Sequence, residues 1–196
     1  MLHILFFCLI LCYLIGSVPT GYWFTKYLFG LDITQHGSGN IGASNVARTL
    51  GKTYFIPIFV FDAFKAYAAL WFCMSLLAFE PVMLSINFWY LYSLTGALLL
   101  GNAYSIFLGF KGGKGVATVL GMLAFLMPGP LVGLFMLSWL LLVALTKRPF
   151  IASLSSIFLI VLLTFALFNG VHGAWLLSVV AWLLLRHAQN LWSYVA

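Results

Sequence analysis

Apolar residues fill long runs of this chain, and short polar segments separate the runs. The runs cover 3–29, 53–79, 86–109, 116–127, 130–146, 150–168 and 173–186. Because a helix needs about 20 apolar residues to cross a bilayer, the pattern predicts an all-α polytopic membrane protein with about seven transmembrane helices. Two runs, 116–127 and 173–186, are short for a full crossing. Merging 116–146 and 150–186 into single units would leave five spans. Both possible counts of spans, seven and five, are odd.

Basic residues lie at alternate connections between the runs. They are Lys26, Arg48, Lys52, Lys111, Lys114, Lys147, Arg148 and Arg186. The other connections, 80–85, 128–130 and 169–172, carry no Lys or Arg. Since positive residues mark cytoplasmic loops, we expect the N-terminus outside and the C-terminus in the cytoplasm. No repeat or linker interrupts the pattern, so we expect one domain over 1–196.

Composition agrees with a membrane location. Hydrophobic residues make up 64% of the chain and charged residues 6%, which leaves too little polar surface to cover a soluble domain. The net charge is +6, but the basic residues are scattered between apolar runs, so a nucleic-acid partner is not expected. Cys8, Cys12 and Cys73 lie inside apolar runs without metal-ligand spacing, and we interpret them as small buried hydrophobic residues.

The first glycine-rich segment (37–48) is a polar patch between two apolar runs. Its glycines expose backbone N–H groups, its serines and asparagines add donors, and Arg48 adds a fixed positive charge. A short helix is expected to begin within the segment, so that its free N–H groups would face an anion. The candidate ligand-binding residues are Ser38, Gly39, Asn40, Gly42, Ser44, Asn45 and Arg48. The alternative is an ordinary loop with helix-capping residues.

The second glycine-rich segment (110–118) has similar chemistry. Lys111 and Lys114 are able to neutralise a phosphate, and Gly112 and Gly113 would permit close approach of a ligand. Lysines that merely mark the cytoplasmic side would explain the charge but not the glycines. This segment is not an NTPase P-loop, because Gly115 follows Lys114 where Ser or Thr is required.

Three further features carry candidate chemistry. His187 and Asn190 share one helix face near the end of the last run, where His187 would serve as a general base, proton donor or phosphate ligand. Asp62 and Lys65 share a face inside the second run, as a structural ion pair or a substrate contact. Only three acidic residues are present, and no Cys/His set has ligand spacing, so neither metal nor cofactor is expected.

Taken together, the segments 37–48, 110–118 and 187–190 resemble the three cytoplasmic motifs of the bacterial acyl-phosphate:glycerol-3-phosphate acyltransferase (PlsY) family. Asp62 and Lys65 also resemble that family, and the likeness covers most of the chain. It implies a multi-pass enzyme of the bacterial cytoplasmic (inner) membrane with its active site on the cytoplasmic face. The implied reaction moves an acyl group from acyl phosphate to the sn-1 hydroxyl of glycerol 3-phosphate. The products are lysophosphatidic acid and inorganic phosphate, in phospholipid synthesis.

The resemblance also implies roles for individual residues. Ser38 and Ser44 would donate to the acyl phosphate headgroup. Arg48, Lys111 and Lys114 would clamp glycerol 3-phosphate, which His187 and Asn190 would orient. Ser38, Arg48, His187 and Asn190 are the implied catalytic residues, and Ser153 resembles a further substrate-binding position. The acyl chain would lie among the helices, in contact with membrane lipid. Either the phosphate of the acceptor or His187 would take the hydroxyl proton.

This chain departs from the family's usual residues at several positions. Asn102 replaces a His, Ser105 replaces a Pro, and Ser44 replaces a Thr while keeping the hydroxyl. Ser193 stands where the family has Arg, and the usual Gly/Glu-containing tail is not found before Ala196. Acyl chain preference and oligomeric state stay open.

The same residues also suit two other functions. Glycine-rich segments at an anion site also suit a membrane carrier for organic phosphates, although no two halves of the chain repeat. An intramembrane serine protease using Ser44 and His187 is the second alternative, although the final glycine of a Gly-x-Ser-Gly sequence is missing.

Overall fold

The computed structural model describes residues 2–78, 88–167 and 170–195, without the side chains of 150, 167, 170–172 and 188–195. These ranges form nine α-helices and no β-strand beyond one isolated bridge between Ser105 and Lys111. The helices are α1 (Leu2–Ser17), α2 (Thr20–Phe29), α3 (Ala43–Leu50), α4 (Phe55–Ala78), α5 (Phe88–Ala103), α6 (Val116–Leu126), α7 (Gly129–Thr146), α8 (Pro149–Leu167) and α9 (Gly170–Val195). The predicted all-α class is therefore confirmed.

The helices follow the apolar runs closely. Two segments, Lys52–Ala78 and Gly129–Thr146, are each long and apolar enough to cross a membrane, and α1 with α2 would make a third. Shorter apolar helices cover Val116–Leu126, Ile151–Ala166 and Gly173–His187. Large apolar side chains, among them Phe61, Phe64 and Trp71 of α4, are exposed, as expected where lipid is the solvent. The number of spans and their orientation stay predictions.

The first apolar run, 3–29, is not one straight helix. The chain bends by 43° between α1 and α2, at Val18 and Pro19. Pro19 has no N–H to donate, and its ring conflicts with a continuing helix. The third run also ends early as a helix, because α5 stops at Ala103 and the chain then turns through 104–115.

The first compact unit, Met1–Phe125, is held by close helix contacts at glycines. A Cβ atom on Gly16 would overlap the backbone of Leu98, and one on Gly101 would overlap the backbone of Tyr13, so α1 and α5 approach closely near the C-terminal end of each helix. A Cβ on Gly121 would likewise overlap the backbone of Ala63, which brings α6 against α4. Small residues at helix contacts are how membrane helices gain packing where burial from water cannot drive association.

Cysteines fill the contact between α1 and α4. Cys8, Cys12 and Cys73 are free and fully buried, and the Sγ atoms of Cys12 and Cys73 lie 3.7 Å apart. Their interpretation as small buried residues is confirmed.

The second compact unit, Leu126–Ala196, contains α7, α8 and α9. The helices α7 and α8 pack against each other, as do α8 and α9. Lys147 ends α7 in the left-handed conformation (φ 57°), which allows the chain to reverse into Pro149 at the start of α8. Gly173 lets the ring of Phe165 approach the backbone of α9. The single-domain organisation over 1–196 stays a prediction.

Candidate active site

The first glycine-rich segment joins α2 to α3 through a tightly folded loop. Gly30 ends α2 in the left-handed conformation (φ 65°), and Asp32 then caps a short helical turn, Ile33–Gln35. Gly37 and Gly39 also have positive φ angles, of 58° and 68°. Residues with a Cβ adopt such angles only at a cost, so glycine is the residue that this path favours.

Asn45 holds this loop together from inside. Its side chain is 2% exposed, and its Oδ1 accepts a hydrogen bond from the N–H of Ser38 (2.8 Å). Its Nδ2 donates to the carbonyls of His36 (2.9 Å) and Ile33 (3.4 Å). The amide of Asn45 is therefore occupied by backbone groups and shapes the loop, and its contact with substrate stays a prediction.

The glycines and Asn40 also shape the loop. Asn40 Oδ1 accepts from the N–H of Gly42 (2.9 Å), which forms an Asx turn before α3. A Cβ on Gly37 would collide with the side chain of Asn45, and one on Gly39 or Gly42 would lie 3.1 Å from Thr34 O or Asn40 Oδ1. Protein atoms therefore lie in the Cβ directions of these glycines, and their contacts with substrate stay predictions.

Three side chains of the first segment face outward. Ser38, Ser44 and Arg48 are exposed, and Ser44 and Arg48 are one turn apart on α3. The N–H groups of Ala43 and Ser44 lie in the first turn of α3, where no intrahelical acceptor is available. Two hydroxyls, two N–H groups and a guanidinium thus point away from a preformed loop, which suits an anion.

Asp32 gives the same loop a charged cap. Its Oδ1 accepts from the hydroxyl (2.6 Å) and the N–H (3.0 Å) of Thr34. These hydrogen bonds hold the pKa of Asp32 below its usual value of 3.8, and the one from the Thr34 hydroxyl has the larger effect. The loop therefore keeps this cap ionised at neutral pH.

The second glycine-rich segment is built against the end of α5. The N–H of Gly113 donates to Asn102 O (2.8 Å), and a Cβ on Gly112 would overlap the backbone carbonyls of Asn102 and Ala103. A Cβ on Gly113 would lie 3.1 Å from Asn102 Oδ1. The glycines were expected to admit a ligand. In the structure they admit the backbone of α5, and their predicted substrate contacts stay predictions.

The backbone before α6 is strained. Phe110 has a positive φ of 62°, which is costly for a bulky residue, and Gly109 and Gly115 also have positive φ angles. The N–H of Phe110 donates to Ser105 O (2.8 Å), which helps to hold this turn. The turn leaves Lys111 exposed and Lys114 half-buried at the start of α6.

Asn102 and Ser105 are two positions where the chain departs from the resembled family. Asn102 is 7% exposed, and its Oδ1 is buried without a hydrogen-bond partner among the described residues. Ser105 is fully buried, and its hydroxyl donates to Ser17 O (2.5 Å) at the end of α1. Ser105 therefore connects the second segment to the first helix, a contact that a proline could not make.

Asp62 and Lys65 form an ion pair, which was one of the two alternatives that the sequence left open. Lys65 Nζ lies 2.6 Å from Asp62 Oδ1 and donates to Val18 O, also at 2.6 Å. The hydroxyl of Thr20 donates to Asp62 Oδ1 (2.9 Å). Both charged residues are buried, and their contacts with Val18 and Thr20 lie at the bend between α1 and α2.

His187 lies in the last helix, α9. It is 3% exposed, and its Nδ1 is 2.8 Å from Leu183 O, one turn earlier. Because a carbonyl oxygen only accepts, Nδ1 carries a hydrogen, and in a neutral ring Nε2 then carries the lone pair. Asn190 follows in the same helix, and its side chain lies outside the described residues, as does that of Ser193.

Ser153 is buried in α8 with its hydroxyl already engaged. It is 2% exposed and donates to Pro149 O (2.8 Å), while Trp139 Nε1 donates to its oxygen (3.0 Å). The hydroxyl hydrogen is therefore not available to a substrate in this arrangement. The prediction did not include Trp139, because only the fold brings α7 against α8.

Among the described residues, no group of three or more His, Cys, Asp and Glu side chains is arranged to hold a metal ion. Two buried hydroxyl oxygens near the segments have no partner there: Thr49 Oγ1, beside Gly37, and Thr118 Oγ1, in the first turn of α6. Thr118 belongs to the second segment but was not singled out as a candidate. Its position in that segment was the available signal.

Similar proteins were found along nearly the whole chain. A family model described as glycerol-3-phosphate acyltransferase matches residues 6–196. The glycerol-3-phosphate acyltransferase of Thermotoga petrophila is 37% identical over 183 residues, which cover 93% of this chain and 88% of the relative. That of Rippkaea orientalis is 44% identical over 152 residues, which cover 76% of this chain and 68% of the relative.

Two solved structures have the same fold. One is PlsY (YgiH), an integral membrane glycerol 3-phosphate acyltransferase, in its glycerol 3-phosphate form. It superposes with a TM-score of 0.84 and 31% identity, covering 97% of this chain and 92% of that chain. The lysophosphatidic acid form gives a TM-score of 0.83 and 32% identity, covering 97% of this chain and 91% of that chain.

Proposed function

We propose a reaction from one premise: this chain belongs to the glycerol-3-phosphate acyltransferase family. The acyl group of an acyl phosphate moves to the sn-1 hydroxyl of glycerol 3-phosphate. The new ester bond forms as the bond from the acyl carbon to the phosphate oxygen breaks. The products are lysophosphatidic acid and inorganic phosphate. The supporting observation is the group of donors that the first glycine-rich segment directs outward: Ser38, Ser44 and Arg48.

The first segment binds the headgroup of the acyl phosphate. Ser38 and Ser44 donate to phosphate oxygens, and the N–H groups at the start of α3 add further donors. Asn45, Asn40 and the glycines do not have to touch the substrate for this role. Their hydrogen bonds fix the loop before the substrate arrives, which lowers the entropic cost of aligning the reactants.

Glycerol 3-phosphate is clamped by the cations Arg48, Lys111 and Lys114. His187 and Asn190 orient this substrate, and the Nδ1–H of His187, held by Leu183 O, sets the direction of its ring. Ser153 supports α8 through its hydrogen bonds to Trp139 and Pro149. The oxygen of Ser153 has at most one acceptor position left.

An acyl phosphate is already activated, so the protein does not have to form a covalent intermediate. Positioning the acceptor hydroxyl near the carbonyl carbon supplies much of the rate. The remainder comes from donors that stabilise the negative charge developing on the carbonyl oxygen and on the leaving phosphate. The acceptor's own phosphate accepts the hydroxyl proton, which leaves His187 with a positioning role. No metal or cofactor takes part in these steps.

The membrane arrangement belongs to the same proposal. Seven spans place the N-terminus outside and the C-terminus in the cytoplasm of a bacterial inner membrane, with both glycine-rich segments at the cytoplasmic face. The acyl chain enters among the helices from the lipid. Support comes from the alternation of basic connections, and from the outward donors of the first segment. Family membership favours this reaction over the organic-phosphate carrier and the intramembrane serine protease.

The test is acyl transfer by the purified protein in lipid, with radiolabelled glycerol 3-phosphate and palmitoyl phosphate. Wild type is expected to make lysophosphatidic acid with palmitoyl phosphate but not with palmitoyl-CoA. Arg48→Ala should lose at least about 100-fold in kcat/KM, because a charge-assisted clamp on a phosphate is removed. Lys52→Ala, which removes an exposed charge outside both segments, is the matched control. Absence of product from folded wild type would overturn the proposal.

A further inference from the structure

The bend in the first span contains two backbone carbonyls that accept hydrogen bonds from side chains far away in sequence. Val18 and Pro19 separate α1 from α2, and the bend is 43°. In a continuous helix, a backbone carbonyl is hydrogen-bonded by an N–H group one turn later. Here Ser17 O accepts from the hydroxyl of Ser105, and Val18 O accepts from Lys65 as well as from the N–H of Thr20 (3.1 Å).

Lys65 reaches the bend from α4. Its Nζ donates to Val18 O and pairs with Asp62, both at 2.6 Å, and Asp62 accepts from Thr20 at the start of α2 (2.9 Å). Burying two charges is costly, and a buried ion pair seldom stabilises a protein more than apolar side chains of the same size would. This pair fixes the direction of the chain at the bend, because its contacts hold one side of the bend at Val18 and the other side at Thr20.

Ser105 reaches the bend from the turn that precedes the second glycine-rich segment. Its hydroxyl donates to Ser17 O (2.5 Å), and its carbonyl accepts from the N–H of Phe110 (2.8 Å). One residue therefore contacts the end of α1 and the strained turn at Phe110. The φ of Ser105 is −65°, which is also the value that proline imposes. The backbone thus fits the family's usual proline, and the hydroxyl contact is specific to this chain.

The helix that follows the bend contacts the first glycine-rich segment and the turn that precedes the second. A Cβ on Gly21 of α2 would overlap Ile41 O and lie 3.3 Å from Val46 Cγ2, so α2 packs closely against the first segment. Two residues later, the ring of Trp23 lies 5.4 Å from that of Phe107, in the turn before the second segment. A change in the direction of α2 would therefore displace both segments.

We infer that Lys65 and Ser105 are positioning residues for acyl transfer. They hold the two carbonyls at the bend, the bend sets the direction of α2, and α2 sets the first and second glycine-rich segments relative to each other. This inference rests on the proposed function, since residues of both segments are assigned there to substrate binding. Neither residue has to touch a substrate, and the effect passes through backbone contacts within the first compact unit.

The test measures kcat and both KM values for Ser105→Ala, Ser105→Pro and Lys65→Met in lipid, per folded protein. If each loop shifts by a fraction of an ångström, Ser105→Ala and Ser105→Pro should each lose about 10-fold in kcat/KM, and Lys65→Met about 100-fold. Both substrates should be affected, because both segments move. The double variant Asp62→Asn/Lys65→Met should restore folding if Lys65→Met fails to fold, since it leaves no unpaired buried charge.

Tyr13→Phe is the matched control, because the Tyr13 hydroxyl donates to Tyr104 O (2.8 Å) beside Ser105 without reaching the bend. It should keep wild-type kinetics. A purely structural role for Ser105 would lower the melting temperature while leaving kcat and both KM values of the folded protein unchanged, and this result would overturn the inference. An effect of Ser105→Ala on one substrate only would also overturn it. Inactive wild type in the same preparation would instead refute the proposed function.

Discussion

The two glycine-rich segments look alike in sequence but are built in different ways. The first is held by side chains, with Asn45, Asn40 and Asp32 each bonded to nearby backbone groups. The second is held by backbone contacts, since Gly112 and Gly113 lie directly against the end of α5. A segment rich in glycine therefore does not indicate by itself where a ligand approaches, because the same residue type also admits a neighbouring backbone.

This difference determines which substitutions each segment should tolerate. The first segment depends on a few polar side chains that are able to make specific hydrogen bonds. The second depends on the absence of side chains at two positions. In both, the residues available to a substrate are the outward hydroxyls and cations, and the glycines act through the shape of the loop.

Asn45→Ala should have the largest effect and should act on the first segment alone. The change leaves the Ser38 N–H without its acceptor, at about 1–3 kcal/mol, and removes one of two donors from each of the carbonyls of Ile33 and His36. The loop would lose its shape, and kcat/KM should fall about 100-fold. Steady-state acyl transfer by folded protein measures this loss.

Asn40→Ala is the comparison within the same loop. It removes one hydrogen bond, to the N–H of Gly42, at a half-buried position. Its loss should be about 5-fold, as expected for about 1 kcal/mol. Equal losses for Asn40→Ala and Asn45→Ala would contradict the view that the buried amide of Asn45 organises the loop.

Gly112→Ala and Gly113→Ala test how the second segment is built. A Cβ at Gly112 meets backbone, which cannot move aside locally, so overpacking of about 1–3 kcal/mol should reduce kcat/KM about 10- to 100-fold. A Cβ at Gly113 meets the side chain of Asn102 at 3.1 Å, and a shift of that side chain should limit the loss to about 3-fold.

Adding Asn102→Ala separates the two positions. It should rescue Gly113→Ala, because it removes the atom that the new Cβ meets, and should leave the loss of Gly112→Ala unchanged. Rescue of both variants, or of neither, would show that the glycines are required for another reason. Kinetics of Gly112→Ala and Gly113→Ala, each with and without Asn102→Ala and all measured under the same conditions, would decide between these outcomes.

The smallest expected effect is a dependence of stability on pH through Asp32. Its folded pKa lies below the usual 3.8, so its hydrogen bonds to Thr34 contribute fully above that value. The contribution should be lost as the pH falls below 3.8 and through the folded pKa. Melting curves should therefore show a larger acid destabilisation for wild type than for Asp32→Asn. Parallel curves for the two proteins would exclude this contribution.

Much of the helical framework is predictable because long apolar runs leave the chain few alternatives in a membrane. The helices α4, α7 and α8 lie within two residues of the expected spans. The bend in the first span was missed, although Pro19 inside an apolar run was a usable signal. The early end of α5 was harder to foresee, because 104–109 are largely apolar and turn only where they meet α1 through Ser105.

The candidate site was located by residue type, but the division of roles within it depends on tertiary contacts. Asn45 and Ser38 both look like donors in the sequence. Only the fold shows that Asn45 is enclosed by Ile33, His36 and Ser38 while Ser38 keeps an exposed hydroxyl. The backbone carbonyls to which Lys65 and Ser105 donate are 47 and 88 residues away in sequence, so no local pattern predicts these two hydrogen bonds.

Steady-state kinetics with both substrates varied would test most directly whether Ser38 and Lys111 serve different substrates. Ser38→Ala should raise the KM for palmitoyl phosphate about 10-fold and leave that for glycerol 3-phosphate nearly unchanged, because the lost hydroxyl contacts the donor phosphate. Lys111→Ala should do the opposite, and Lys52→Ala should change neither KM. If Ser38→Ala and Lys111→Ala both raise the KM of the same substrate, the assignment of Ser38 to the acyl phosphate and of Lys111 to glycerol 3-phosphate is contradicted.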